Sequence, residues 1–413
     1  MSPKIKTAWI ALLVVGVVIG IVITFTSSAY AAPQEDNVVD GQLYPQGRTP
    51  AKIEDHNYPT TYYPNTELLG PEEMRITALG TGMPNPTKNQ ASISYLVELG
   101  NGDDFVFDMG YGAMANMFAI RPDFSKIDKV FASHLHTDHV GDFASLLVGG
   151  WLSGRYTPLH LYGASGSKPE LGTKAFVENT QKTWAWDVAG RSGALPDAGG
   201  KIIAHEFDFK GVNQVVYEKN GVVIRSWPAI HVLDGSVSYS LEWKGLKFVF
   251  GGDTYPNKWY IEYAKGADVA SHELFAPPEL LAKMFGWDMN QATWVATRIH
   301  TSPPAFGKVM AAVKPRLAVG YHSIQDIIST VAINDGVRET YQGKLAIATD
   351  LMVINVTKDN IEVRLAIVDE NVNPPGAGTE YMEAARTGKA TTSKFIEEGK
   401  WKGYTPPPMP KKN

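Results

Sequence analysis

The stretch SHLHTDHVGD at residues 133–142 decides the fold of this chain, because it concentrates metal-binding side chains in one loop. Three histidines and two aspartates fall within it, directly after the apolar run Lys129–Ala132, which is typical of a strand ending at a sheet edge. Gly141 and the helical pattern after it indicate a turn into a helix. Chemistry is commonly located in a loop at the carboxyl end of a strand. The stretch is therefore predicted to bind metal rather than to be a solvated polar loop.

The spacing within this loop allows two metals. In extended backbone His134 and His136 point to the same side, because side-chain direction alternates with a period of two. Asp138 and His139 lie past the turn and can face a second metal. Neutral imidazole and carboxylate suit zinc and other divalent first-row metals, so both pairs are candidate ligands.

The composition excludes several classes of protein. The chain has 413 residues, 44% of them hydrophobic and 20% charged, so it can bury a large core and is not a disordered chain. Its formal net charge of −5 gives no global basic field of the kind that drives nucleic-acid binding. Cysteine does not occur in the sequence, which excludes disulfides, thiolate metal sites and cysteine nucleophiles. Any metal site must therefore use histidine, aspartate and glutamate.

Residues 1–32 are predicted to direct export. Two lysines precede an apolar run at residues 8–25, and small residues follow, as in a secretory signal cleaved after Ala31 or Ala32. The apolar run approaches the length of a membrane span, so a retained anchor through residues 8–25 is the alternative. In either case the body of the protein is expected outside the cytoplasm, either periplasmic or secreted, or anchored to the membrane.

The rest of the chain divides by composition into three segments. Residues 33–72 lack a sustained period and are predicted to form an extended arm that wraps the domain. Residues 73–370 alternate short apolar runs with glycine-rich turns and helical stretches, which predicts one layered α/β catalytic domain. Helices are predicted near residues 111–120, 142–153, 169–183, 257–265, 278–285 and 304–313. Residues 371–413 are predicted to be a polar tail.

The HxHxDH pattern of residues 134–139 resembles the signature of the metallo-β-lactamase superfamily. Leu79-Gly80-Thr81-Gly82 resembles the opening turn of its ribonuclease Z and arylsulfatase branch. Phe107-Asp108-Met109-Gly110 resembles its second-strand aspartate motif, in which the carboxylate orients the histidine loop. The resemblance covers about residues 75–365 and implies an α/β fold of the αββα sandwich type, with two mixed β-sheets flanked by helices.

The same resemblance implies three further metal ligands. His231 matches the third ligand histidine, Asp253 the aspartate that bridges two metals, and His322 the last ligand. The implied cofactor is two divalent metal ions, zinc first, with manganese or iron as alternatives. One ion would take His134, His136 and His231, and the other Asp138, His139 and His322, with Asp253 and a water or hydroxide between them.

Two weaker matches point to groups that would act on the substrate. Ser271-His272-Glu273-Leu274-Phe275 resembles the "HEAT" loop of ribonuclease Z, with Leu274 and Phe275 replacing small and hydroxyl residues. His300-Thr301-Ser302 resembles its "HST" loop with the last two residues exchanged. Carried over, His300 is a proton donor or oxyanion stabiliser and Glu273 orients it, while a surface or helix-cap role is the alternative. Asp138 is a plausible catalytic base, because one oxygen can bind metal while the other takes a proton.

These features together predict an exported dinuclear metal-dependent hydrolase that cleaves a small ester with a metal-activated hydroxide. An aryl sulfate or a phosphate ester is the favoured substrate. A lactonase or carboxylic esterase on the same site is the alternative, as is a non-catalytic binding protein that keeps the fold.

The expected partner is a small-molecule ester substrate, and no nucleic acid is expected, since the chain is acidic and shows no basic arm. The family often pairs, so a homodimer is allowed, although the sequence carries no interface signal. Four tryptophans, Trp151, Trp184, Trp186 and Trp227, could line an apolar substrate pocket or belong to the core.

Overall fold

Two nine-stranded mixed β-sheets form the centre of the structure. The structure is a computed structural model, and it describes residues 38–39, 42–43, 61–369, 371 and 392–408. The predicted export segment, residues 1–32, lies outside the described residues. Within the described ranges, no helix is both long enough and apolar enough to cross a membrane.

The strands alternate between the two sheets in long blocks of sequence. In chain order they are β1 (Val38–Val39), β2 (Gln42–Leu43), β3 (Thr61–Tyr62), β4 (Met74–Gly80), β5 (Ser94–Leu99), β6 (Asp104–Phe107), β7 (Lys129–Phe131), β8 (Leu159–Ala164), β9 (Ile202–Phe207), β10 (Gln214–Lys219), β11 (Val222–Pro228), β12 (Val237–Trp243), β13 (Leu246–Phe250), β14 (Val269–Glu273), β15 (Leu317–Tyr321), β16 (Leu345–Ile347), β17 (Met352–Val356) and β18 (Ile361–Ala366). One sheet has the order β3-β18-β17-β4-β5-β6-β7-β8-β9, and the other has the order β1-β2-β16-β15-β14-β13-β12-β11-β10.

Helices connect many of these strands and cover the outer faces of both sheets. They are α1 (Ala113–Ile120), α2 (Thr137–Val140), α3 (Phe143–Leu152), α4 (Thr173–Thr183), α5 (Ala185–Arg191), α6 (Lys258–Tyr263), α7 (Pro278–Phe285), α8 (Met289–Trp294), α9 (Pro303–Val313), α10 (Ile327–Arg338) and α11 (Lys394–Glu398), with a π-helical turn at Val295–Ile299 and 3₁₀ turns at Phe124–Lys126, Pro169–Leu171 and Asp197–Gly200.

Side-chain alternation along the strands explains why the sheets stack and the helices cover them. On β5, Tyr95 and Val97 pack into the core between the sheets, while Leu96 packs against the helices on the other face. On β13, Phe248 and Phe250 face the other sheet and Val249 faces the helices. Strands buried on both faces carry apolar residues at nearly every position, as these do. The predicted sandwich of two mixed sheets flanked by helices is confirmed.

The arm at residues 33–72 contributes short strands to both sheets. β3 pairs in parallel with β18, and β2 pairs in parallel with β16. Tyr62 of β3 is buried under two guanidinium groups, those of Arg75 and Arg364, whose carbons lie 4.5 and 5.2 Å from its ring centroid. These contacts hold the arm against the sheet that carries the histidine loop.

Strand direction places the functional loops at a common rim. β6 and β7 are parallel, so their carboxyl ends meet at one edge of their sheet. β13, β14 and β15 are parallel neighbours in the other sheet. β11 runs the same way as β13, because both are antiparallel to β12. The loops that leave these strands therefore converge, as the carboxyl ends of parallel strands do in other α/β proteins.

Candidate metal centre

Each predicted ligand lies just beyond the carboxyl end of one of these strands. His134 and His136 follow β7, and Asp138 and His139 lie in the short helix α2. The other three, His231, Asp253 and His322, follow β11, β13 and β15. The structure therefore brings together all seven residues that the sequence singled out, although they span nearly two hundred positions of the chain.

The first cluster consists of three imidazoles. His134 Nε2 lies 2.9 Å from His136 Nδ1, which in turn lies 3.3 Å from His231 Nε2. Three nitrogens pointing at one another in this way can hold a metal ion. Burial lowers the pKa of His134 and of His136, and it lowers the pKa of His231 to about 4. Near neutral pH these rings are therefore uncharged, which is the form that binds metal.

The second cluster combines two imidazoles with carboxylates and is fully buried. Asp138 Oδ2 lies 3.1 Å from His322 Nε2 and 3.5 Å from His139 Nε2. Asp253 closes the group, with Oδ1 3.3 Å from His139 Nε2 and Oδ2 3.3 Å from His322 Nε2. These four side chains can hold a second metal ion.

Asp253 is the residue that links the two clusters. Besides its contacts with the second cluster, its Oδ2 lies 3.8 Å from His231 Nε2 of the first. Its side chain is buried, so its two oxygens face imidazole nitrogens on both sides rather than water. A carboxylate in this position can bridge two cations, as the resemblance implied.

The bonding within the site indicates that cations belong there. His139 Nε2 and Asp253 Oδ1 are buried, and neither has a hydrogen-bond partner among the described residues, although they are 3.3 Å apart. Buried polar atoms are normally paired, so such orphans need an explanation. Burial alone would lower the pKa of His139, but the surrounding carboxylates outweigh it and raise that pKa well above its ordinary value. The buried carboxylates around His139 therefore favour a positive charge at this point, and bound metal ions would supply it.

Asp108 holds the histidine loop in place from behind. Its Oδ1 accepts the backbone N–H of Ser133 at 2.6 Å, and its Oδ2 accepts the Ser133 hydroxyl at 2.7 Å. His139 Nδ1 lies 2.6 Å from Oδ2, which fixes the tautomer that leaves Nε2 free to bind metal. Asp108 adopts a positive φ of 55°, an uncommon conformation for a residue other than glycine. The orienting role implied by the resemblance therefore has a structural basis.

Replacing Asp108 with asparagine is expected to weaken metal binding by about ten- to a hundredfold. The amide would offer His139 Nδ1 a donor where a carboxylate acceptor stood, and the ring would lose the tautomer that presents Nε2. Zinc affinity measured by competition with a chromophoric chelator checks this. Asp104→Asn is the matched control, because Asp104 begins β6, the strand that Asp108 directly follows. Burial raises the pKa of Asp104 to about 8, so asparagine replaces a largely neutral acid. Equal affinities for the two variants would contradict the assigned role.

Next to the metal ligands lies a hydrogen-bonded pair, His300 and Glu273. His300 Nδ1 lies 2.6 Å from Glu273 Oε2, and the other carboxylate oxygen accepts the backbone N–H of Thr254 at 2.8 Å. Burial raises the pKa of Glu273, and burial lowers the pKa of His300. These two directions favour a neutral pair, in which the Glu273 carboxyl group donates its proton to Nδ1 and the ring carries its own proton on Nε2, where it can be given to a ligand.

Phe275 is a functional residue that the sequence comparison treated only as a departure from the family pattern. Its ring stacks on His300, with centroids 4.2 Å apart and planes inclined by 5°. The His300 ring is therefore held by the hydrogen bond of its Nδ1 to Glu273 and by the stacking of Phe275 on its face. The sequence marks this position, because Phe275 is a large aromatic residue where the family pattern has a small or hydroxyl residue.

The other four histidines lie apart from the site or outside the described residues. His272 is buried, and its Nδ1 lies 2.8 Å from the Glu273 carbonyl oxygen, so it supports the strand rather than the site. His160 and His205 form a pair with ring nitrogens 2.8 Å apart on β8 and β9. His56 lies outside the described residues.

A cavity of about 530 Å³ opens at the first cluster, within the usual range for small-molecule sites. His134, His136 and His231 form one wall, and Trp184 contributes to the lining farther out. Of the four tryptophans that were candidates for a pocket, Trp151 and Trp227 are core residues and Trp186 is 86% exposed. Only Trp184 among these four lines the cavity described here.

Comparison with known proteins assigns the chain to a family. The ribonuclease Z of Mycolicibacterium paratuberculosis is 31% identical over 209 residues, a match that covers 48% of this chain and 69% of that protein. The chain belongs to the ribonuclease Z-like branch of the metallo-β-lactamase superfamily. The ribonuclease Z of Mycobacterium avium gives a similar match at 30% identity, covering 48% and 69%. This branch consists of hydrolases that act on ester bonds, so the ribonuclease Z-like chain is a metallohydrolase.

Two further findings describe this ribonuclease Z-like chain. The sequence model of the family described as "Anti-Pycsar protein Apyc1" matches residues 74–275. Among solved structures, the metallo-β-lactamase fold protein YhfI from Bacillus subtilis superposes with a TM-score of 0.51 at 18% identity, covering 69% of this chain and 100% of that one. Human tRNase Z, short form, gives the same TM-score and identity over 68% and 98%. At these identities the structural likeness shows the fold alone.

Proposed function

We propose that this chain is a dinuclear hydrolase of a small phosphate ester, with zinc at both clusters and manganese or iron(II) as alternatives. The observation that carries the proposal is Asp253, which lies between two ligand clusters beside the His300–Glu273 pair. Such a site can bind an attacking water and a substrate oxygen on one side of the reacting atom and meet the leaving group on the other.

The metal ions, when bound, would lower the pKa of water toward neutrality and neutralise charge that develops on the substrate oxygens. The residues of the chain do the rest. Asp138 presents Oδ2 to the metal-binding cluster, which leaves Oδ1 as the oxygen that can accept a proton from the attacking water. His300 Nε2 meets the departing oxygen, and Glu273 holds the ring in the orientation that this requires.

A small substrate is supported by the cavity and the charge of the chain. About 530 Å³ accommodates a molecule of ordinary metabolite size. The residues that line it include no lysine or arginine among the described part of the chain, and the net charge of the chain is −5. A polyanion such as RNA depends on contacts from basic side chains, which this cavity does not offer. RNA is nevertheless the second candidate, because the curated relatives are named ribonucleases.

A panel of substrates tests this proposal directly. Protein loaded with zinc, manganese or iron(II) is offered bis(p-nitrophenyl) phosphate, p-nitrophenyl phosphate, p-nitrophenyl sulfate, p-nitrophenyl acetate and an RNA oligonucleotide. We expect phosphate esters to be turned over fastest, with the sulfate slower. Preference for the acetate would favour a carboxylic esterase or lactonase, and cleavage of RNA alone would favour the second candidate. Asp253→Asn protein purified in the same way excludes contaminating phosphatases.

We also propose that the enzyme is exported by residues 1–32. The support is the sequence pattern of a basic start, an apolar run and small residues before Pro33. Expression in a bacterial host followed by fractionation and N-terminal sequencing tests it. A mature chain that starts at Ala32 or Pro33 supports cleavage, an intact N terminus in the membrane fraction supports the anchor, and recovery from the cytoplasm contradicts export.

A further inference from the structure

The cavity is asymmetric with respect to the metal centre. Its lining includes the three histidines of the first cluster but none of Asp253, Glu273, His300 and His322. The His300–Glu273 pair is therefore not part of the cavity wall, although the His300 ring lies beside His231, with centroids 5.3 Å apart. A substrate whose reacting atom is held at the centre would direct one substituent toward His300 and another into the cavity.

The far part of the cavity is apolar and partly exposed. Its lining includes Leu171, Phe176, Trp184 and Leu233. Trp184 is 44% exposed and Leu233 is 63% exposed, so neither side chain belongs to the hydrophobic core. Large apolar side chains left open around a cavity beside a catalytic centre are typical of a site that a ligand covers.

The polar residues of the lining exclude one class of occupant. Glu170 and Asp234 contribute carboxylates, while no lysine or arginine lines the cavity in the part of the chain that the structure describes. A substituent with its own negative charge would meet like charges there and find no cation to pair with. An uncharged ring would instead find an indole face and aliphatic side chains.

We propose that this cavity binds an uncharged aromatic substituent of the substrate, the one that does not leave, and that Trp184 determines this specificity. The substrate class is thus a phosphodiester with one departing group on the His300 side and one retained aryl group in the cavity. This inference rests on the proposed function, since it assigns the second substituent of the same phosphate ester.

Three p-nitrophenyl diesters that share one leaving group test the inference. The retained group is methyl in the first, phenyl in the second and 4-carboxyphenyl in the third, so that only the occupant of the cavity changes. We expect kcat/KM for the phenyl diester to exceed that for the methyl diester by about twentyfold, mainly through KM, because a ring is removed from water. The added carboxylate should cancel most of this gain.

Variants of two neighbouring tryptophans separate a specific contact from a general effect. Trp184→Ala should raise KM for the phenyl diester about tenfold while leaving kcat and the constants for the methyl diester nearly unchanged. Trp184→Phe should restore most of the loss, because it keeps an aromatic face. Trp186→Ala is the matched control, since Trp186 lies two residues away and is not part of the lining. Thermal unfolding of each variant verifies that the fold is kept.

The outcomes separate this inference from the function on which it rests. If p-nitrophenyl phosphate is hydrolysed but the phenyl and methyl diesters share one KM, the cavity assignment is wrong and the phosphate ester hydrolase stands. An equal effect of Trp184→Ala on all three diesters also overturns the assignment. If no phosphate ester is turned over by metal-loaded protein, the proposed function itself fails.

Discussion

Asp253→Asn is expected to lower turnover of the best phosphate ester by at least about a thousandfold. The substitution keeps the size of the side chain but removes the charge that faces His139 and His322 at 3.3 Å and His231 at 3.8 Å. An amide cannot bridge two cations, so both turnover and metal content should fall. Metal analysis by mass spectrometry is expected to give close to two equivalents for the parent protein and one or fewer for the variant.

Asp187→Asn is the control for this variant, because Asp187 lies on a surface helix and pairs with Arg191 in the next turn. It should leave both metal content and turnover unchanged. The assigned bridging role would be contradicted if Asp253→Asn kept two metal equivalents and near-parental turnover. Loss of turnover with full metal content would move Asp253 from a metal ligand to a group that contacts substrate.

His300→Ala is expected to reduce kcat by about a hundred- to ten-thousandfold while leaving metal content intact. Its Nδ1 is bonded to Glu273, and it approaches the Asp253 carboxylate only to 4.0 Å, so the ring is oriented as a neighbour of the metal centre. A group that protonates or stabilises the departing oxygen matters more when that oxygen is a poor leaving group. The loss should therefore be larger for a phenyl leaving group than for p-nitrophenyl.

Glu273→Gln should show the same dependence on the leaving group, because Glu273 acts by positioning His300. The double variant should be scarcely worse than His300→Ala alone, since residues that act as one unit are not additive. His205→Ala serves as the histidine control, because the His160–His205 pair lies on β8 and β9, away from the metal centre. Parallel loss of metal in His300→Ala would show that this ring is a ligand instead. Asp253, Glu273, His300 and His322 also lie close enough together to hold an ion.

The convergence of the candidate ligands could be predicted from the sequence, because each of them is marked locally. Each ligand follows an apolar run that ends in a strand, and the histidine loop carries its ligands at a spacing that fixes where they point. The order of these segments along the chain then identified the family, and with it the sandwich fold. The structure shows why loops that are distant in sequence meet: β11, β13 and β15 run in the same direction, so their carboxyl ends lie at one edge of the sheet.

The cavity could not be predicted, because no local pattern marks it. It depends on α4 and the loop at residues 231–236 lying against the first cluster, which is a tertiary arrangement. The four candidate tryptophans look alike in sequence, yet Trp151 and Trp227 are buried while Trp184 is left open. The helix α5 was also missed, because its seven residues carry no sustained apolar period.

The short strands of the arm have a consequence for self-association. Without β2 and β3, the neighbouring strands β16 and β18 would each end their sheet with a row of unpaired amides and carbonyls, a template on which strands of other copies can polymerise. The arm therefore covers one edge of each sheet, which opposes strand addition by other copies of the chain. Proteolysis up to residue 72 would remove β2 and β3, and we expect the shortened protein to self-associate through the exposed edges of β16 and β18.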